Sequence, residues 1–219
     1  LVETSERVKR HCMQLENCVY GEVELLSLNL ARLGLLGELV HGEGAYIHDL
    51  RHDLAEFEHP QNEHWRFDHN RDHKGNLYPT HGLVPICAAM GVNRGDRLDY
   101  LVSLESKQAN LKKYCDEHLK PDNPRRNCEI AAGDMNSTLI RTVKGRSILV
   151  QHDVMSPRPY SRIQLLTGTK GSICDYPLRL GFESKPGAGV HSWFGERETA
   201  EVRAKYMHPL WKAVGELAQ

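Results

Sequence analysis

Apolar positions in this 219-residue chain follow two rhythms, helical near the start and strand-like after the middle. Val23, Leu26, Leu30 and Leu33 recur at three- and four-residue steps with Gly34 behind them, which predicts an amphipathic helix over 21–34 with a buried leucine face. Gly37 then opens a strand through Asp49, Thr80 to Met90 reads as a second helix closed by Gly91, and Arg97–Glu105 reads as a strand before a polar helix at Gln108–Leu119. The KPDNPRR run at Lys120–Arg126 is a loop. Beyond it Asp134–Val143 and Arg146–Asp153, rich in β-branched residues, are joined by Lys144-Gly145 as a hairpin, and Arg162–Thr167 turns at GTKG into Ser172–Asp175. The second half is therefore expected as an antiparallel meander able to form an open sheet. Glu183–Val190 is a Gly/Pro loop and Glu198–Leu217 a helix interrupted at Pro209. At the other end, Val2–Arg10 reads as the end of a helix and His11–Leu15 as a short strand.

Composition narrows the partners. Acidic and basic residues nearly cancel, 29 against 28, so no long-range field favours nucleic acid or an anionic membrane, and specificity must come from a site. No stretch approaches the ~18 apolar residues of a membrane span, the start LVETSERVKRHC has no apolar signal core, and the compartment stays open. Six scattered cysteines without a CxxC pair read as mostly buried free thiols. Eight of the thirteen histidines lie between His41 and His81. His48/His52 and His69/His73 have a spacing that a helix could turn toward one metal, but residues 53–75 read as polar and irregular, which favours a solvated loop over a metal site. HGEGAY and KPGAGV each contain GxG without the GxGxxG of a dinucleotide cradle.

Chemistry concentrates in GNLYPTHGL, Gly75 to Leu83. Pro79 suits the first helical position and pushes Tyr78 into an extended conformation, so His81 falls in the first turn. There the positive helix end disfavours an imidazolium and leaves the ring neutral, ready to take a proton.

Taken in order, LENCVYG, HGEGAYIHDLR, GNLYPTHGL, GDMNSTLIRTVKG, HDVMSPRPYSR and LLTGTKG resemble the Gfo/Idh/MocA oxidoreductase superfamily and, within it, glycoside hydrolase family 109, the NAD-dependent α-N-acetylgalactosaminidases. The resemblance runs from about Thr4 to Leu217. It implies an α+β fold of the superfamily's C-terminal type: an open, largely antiparallel sheet with helices packed on one face. Residues 1–20 would be the end of an NAD-binding Rossmann domain, and 21–219 a substrate-binding and dimerisation domain incomplete at its C-terminus, with a homodimer formed through the open sheet.

By the same resemblance, the substrate contacts are Glu16, Tyr46, Arg66, Tyr78, His81 and Tyr160, and Asn17 and Tyr78 touch the NAD cofactor. Glu16-Asn17 stands where the wider superfamily has Glu-Lys-Pro. Loss of that lysine, which assists hydroxyl oxidation in the sugar dehydrogenases, points to the glycosidase branch. The implied reaction cleaves a terminal α-linked N-acetylgalactosamine by oxidation, elimination, hydration and reduction, an exception to the usual carboxylate pair. His81 and Tyr46 are the candidate proton-transfer residues. With an ordinary phenol pKa near 10, Tyr46 needs a cation such as Arg66 to act as a base and no help to act as an acid. Glu16 and Arg66 orient hydroxyl and acetamide groups. The competing readings are an NAD(P)-dependent sugar or inositol dehydrogenase of the same superfamily and a non-catalytic sheet domain that dimerises or holds carbohydrate.

Overall fold

The computed structural model describes residues 1–56, 65–183, 185, 187 and 189–215. A seven-stranded sheet runs in the order β2-β3-β4-β1-β5-β6-β7, where β1 is Leu39–Ile47, β2 Leu98–Glu105, β3 Asn136–Thr142, β4 Ser147–Asp153, β5 Leu165–Gly168, β6 Gly171–Cys174 and β7 Arg179–Phe182. All pairings are antiparallel except β1 with β4. The hairpin at Lys144-Gly145 forms as the spacing predicts, with Gly145 at φ +85. The expected meander is nevertheless split. After β4 the chain passes over β1, and β5 pairs on its far side, because β1 is buried without a break from Gly44 to Ile47 and its backbone needs a neighbour on each edge.

The helices are α1 (Val2–Val8), α2 (Glu22–Arg32), α3 (Arg51–Ala55), α4 (Trp65–Asp72), α5 (Thr80–Met90), α6 (Asn110–His118), α7 (Glu196–Tyr206) and α8 (Pro209–Val214). Helices α2 and α5 cover one face of the sheet, where Leu26, Leu30, Ile86, Ile148, Leu166, Ile173 and Leu180 are all fully buried. Leu33, expected in the leucine face, is instead 56% exposed, since α2 stops at Arg32 and Gly34 at φ +70 turns the chain away. A second cluster gathers Leu54, Phe67, Leu111, Cys115 and Met155 from α3, α4, α6 and the end of β4.

This second cluster corrects the expectation of an irregular 53–75. Two short helices form there because Leu54, Ala55 and Phe67 find buried partners, although α4 is polar on most sides; residues 57–64 of that stretch lie outside the described ones. Three further expectations change. Residues 11–15 make no strand, and a 3-10 turn at Asn17–Tyr20 follows. Strand β5 starts at Leu165, since Ile163 and Gln164 are left-handed at φ 62 and 47. Strand β7 carries no signal in the sequence pattern, since its four residues are too short for a clear alternation. The Glu183–Val190 loop is only partly within the described residues, and the predicted C-terminal helix divides at Pro209 into α7 and α8. All six cysteines are free thiols; three are buried, and only Cys12 is exposed. Among the described residues no helix is long and apolar enough to cross a membrane.

Candidate active site

At Gly82 and Gly44 helix α5 meets strand β1 backbone to backbone. A Cβ on Gly44 would collide with the Gly82 carbonyl, and one on Gly82 would strike the Ala45 amide. That close crossing sets the first turn of α5 beside Tyr46, two residues along β1 on the same face. The His81 ring stands edge-on to Tyr46 at 5.2 Å and to Tyr78 at 4.9 Å, and the two tyrosines are 5.0 Å apart. Tyr160 approaches Tyr46 edge-on at 6.2 Å from the segment after β4. From α4 the Arg66 guanidinium lies 5.3 Å from the Tyr78 ring and 5.9 Å from that of Tyr46.

Glu16 joins this group from the N-terminal loop. Its Oε1 accepts from the Cys18 amide at 3.0 Å and from His81 Nδ1 at 2.7 Å. Burial works against the Glu16 charge, but the Cys18 amide, the Thr80 hydroxyl and His81 prevail and hold its carboxyl below the ordinary range. An ionised carboxylate only accepts, so the ring proton sits on Nδ1 and Nε2 is left to react. This changes the sequence-based picture. His81 does lie in the first turn of α5, with Pro79 at the N-cap, but its partner is a buried carboxylate and not the helix end alone. Glu16, placed as a substrate contact, has its Oε1 directed at His81.

For Tyr46 the surroundings select between the two states left open. Burial raises its phenol above the usual 10 despite Arg66 nearby, so the phenol carries its proton at neutral pH. Asn17 is exposed on the rim next to Glu16. The six expected substrate-contact residues thus lie together, with Asn17 at the edge.

Sequence reasoning overlooked four more. His152 pairs with Tyr46 across β1 and β4 and stacks beneath its ring at 6.2 Å; burial, then Arg66 and His69, push its imidazole down to about 4. His48 stands edge-on to Tyr160 at 5.1 Å with its Nδ1 buried and unpartnered among the described residues. Glu24 and Arg162 brace Tyr160, with Arg162 Nη1 donating to the phenol oxygen at 2.8 Å. HDVMSPRPYSR carried both His152 and Arg162, yet only register and packing direct them to the cluster. The His69 and His73 rings lie 4.7 Å apart, but among the described residues the side chains that bring three metal-capable atoms within 4.8 Å of one another are Glu16, Cys18 and His81, where Glu16 and His81 engage each other.

The family profile for the C-terminal domain of glycosyl hydrolase 109 matches residues 20–219. The chain belongs to glycosyl hydrolase family 109. It is 51% identical over 224 residues to a family 109 protein of Solibacter usitatus, covering 100% of this chain and 48% of that protein. It is 43% identical over 220 residues to the alpha-N-acetylgalactosaminidase of Shewanella oneidensis, covering 100% of this chain and 47% of the relative. The chain thus spans about half the length of the curated family 109 relatives it matches. Among solved structures, an NAD binding oxidoreductase from Klebsiella pneumoniae superposes with a TM-score of 0.62 at 16% identity, over 88% of this chain and 48% of that one. A levoglucosan dehydrogenase in complex with NADH and L-sorbose gives 0.62 at 18%, over 98% of this chain and 60% of the other. These two likenesses establish the Gfo/Idh/MocA-type fold of this family 109 domain.

Proposed function

We propose that the whole protein of which this chain is a part is an α-N-acetylgalactosaminidase that uses NAD, and that residues 21–219, together with Glu16 behind His81, supply its sugar site. The carrying observation is the Glu16–His81 pair at 2.7 Å set against Tyr46 and Tyr78, in a chain of family 109. Bound NAD would supply reversible hydride transfer at a sugar carbon, which makes the neighbouring C–H acidic enough for elimination. Asn17, exposed beside Glu16, and Tyr78, half-buried beside His81, are the residues that would meet the nicotinamide end. The phosphates need a glycine-rich cradle, and the part of this chain before residue 21 is read as the end of the domain that provides one.

The chain's own residues handle protons and orientation. His81 Nε2 takes the proton of a ring hydroxyl or of the carbon next to it, and Glu16 stabilises the imidazolium that results. Tyr46, protonated at neutral pH, donates toward the departing oxygen. Arg66 faces the acetamide and hydroxyl groups, while Tyr78 and Tyr160 offer a ring face and a phenol each. The neutral His152 packs as a floor under Tyr46 and adds no charge.

Homodimerisation through the open sheet is part of this reading. Tyr100, Val102, Leu104 and Leu139 stand 52–75% exposed on the face of β2 and β3 turned away from α5, an apolar patch suited to a second copy.

The test is turnover of an α-N-acetylgalactosaminide by a polypeptide of the relatives' full length with NAD present. Release of N-acetylgalactosamine without net NADH is expected, and His81→Ala abolishes it while the circular dichroism spectrum is unchanged. Activity retained in His81→Ala removes that residue from the mechanism. Stoichiometric NADH formed from a free sugar would instead favour the dehydrogenase reading, which the fold shared with a levoglucosan dehydrogenase supports.

A further inference from the structure

Tyr160 sits 37% exposed at the mouth of the aromatic cluster, on a chain segment with no regular structure. Such a side chain normally rotates freely, yet this one is fixed from behind. Arg162 Nη1 donates to its phenol oxygen at 2.8 Å, and the same guanidinium donates through Nε to Glu24 Oε1 at 2.9 Å and lies 5.4 Å from the Tyr176 ring. Glu24 is 4% exposed on α2, so the strut is anchored in the core. Burial works against the Arg162 charge, but Glu24 and Tyr160 overcome it, so the guanidinium stays ionised. The backbone that aims it is also unusual: Ile163 and Gln164 are left-handed at φ 62 and 47, a region a β-branched residue enters only when its surroundings hold it there.

We propose that Arg162, anchored by Glu24, is a positioning residue that occupies the acceptor side of the Tyr160 phenol and so presents Tyr160 to the sugar as a fixed hydrogen-bond donor. Arginine only donates, so the phenol oxygen accepts from it and its own proton is directed at the ligand. A sugar oxygen able to accept, such as the acetamide carbonyl or a ring hydroxyl, is then favoured over a group that can only donate. This inference rests on the proposed sugar site.

Two measurements test it separately from that reading. In the 219-residue chain with labelled tyrosine rings, Arg162→Lys and Gly21→Ala both move the Tyr160 resonances, identified by their loss in Tyr160→Phe, and leave those of distant Tyr100 in place. Gly21→Ala acts because a Cβ there collides with the Glu24 carboxylate while φ −61 suits alanine. Unmoved Tyr160 resonances overturn the inference whatever the enzyme does. In the polypeptide of full relatives' length, Tyr160→Phe lowers kcat/KM about tenfold, the worth of one hydrogen bond. Glu24→Gln/Arg162→Met, which removes both buried charges together, does the same, and the triple variant is no slower than Tyr160→Phe alone. A triple variant that loses the product of the two effects overturns the inference, since Arg162 would then act independently of the phenol. If the unmodified polypeptide cleaves no α-N-acetylgalactosaminide, the proposed function fails while the tyrosine signals still decide this one.

Discussion

Replacing His152 by glutamine should remove a defined portion of this protein's acid sensitivity. The imidazole, 5% exposed beneath Tyr46 and facing the Arg66 charge, titrates at about 4 when folded and at the ordinary 6.5 when unfolded. Between those values the unfolded chain binds more protons, so this group lowers stability as pH falls through the window. Taking RT times the logarithm of the ratio of the two binding polynomials, His152 costs about 2 kcal/mol on going from about pH 7.5 to about pH 5. The full difference below both values is about 3 kcal/mol. Glutamine cannot titrate, whereas carboxylates with lowered values, such as Glu16 and Asp49, remain in both proteins and cancel in the comparison. The assay is urea unfolding of the 219-residue chain and of His152→Gln at the two pH values, with the change in unfolding free energy compared. The wild type should lose about 2 kcal/mol more than the variant, even where the variant starts lower. Equal losses would mean that His152 is not buried as a neutral ring, and the floor assigned to the site would be wrong.

Gly44→Ala pushes α5 off β1 at its closest point and should destabilise the chain by about 1–3 kcal/mol in urea unfolding; an unchanged midpoint would show that the crossing is looser than described. Glu16→Gln keeps an acceptor for the Cys18 amide but removes the charge behind His81, so kcat in the polypeptide of full relatives' length should fall about ten- to a hundredfold with little change in KM; a rise in KM alone would return Glu16 to the role of a substrate contact. Val102→Asp and Leu104→Lys alter only exposed positions of the open sheet face, so they should abolish concentration-dependent dimerisation in sedimentation and shift stability by less than about 0.5 kcal/mol; a wild-type chain that stays monomeric at high concentration refutes that interface.

Read alone, the amino-acid order determined what depends on neighbours along the chain. Helix α2 follows from leucines at three- and four-residue steps, and α5 from the proline ahead of it and the glycine behind it. The β3–β4 hairpin follows from Lys144-Gly145, because such signals act within a few residues. The ordered motifs likewise identified the family and the residues now seen around Tyr46. Tertiary structure decided the rest. Helix α4 exists because Phe67 finds a core assembled from α3, α6 and the end of β4, a partner its own polar sequence does not announce. Strand β1 lies between β4 and β5 because only packing in three dimensions selects which edges pair. The proton inventory was decided the same way: burial keeps the Tyr46 phenol protonated and His152 neutral, and a residue 65 positions away in the chain gives His81 its carboxylate. Charge states depend on surroundings, and those exist only once distant segments have met.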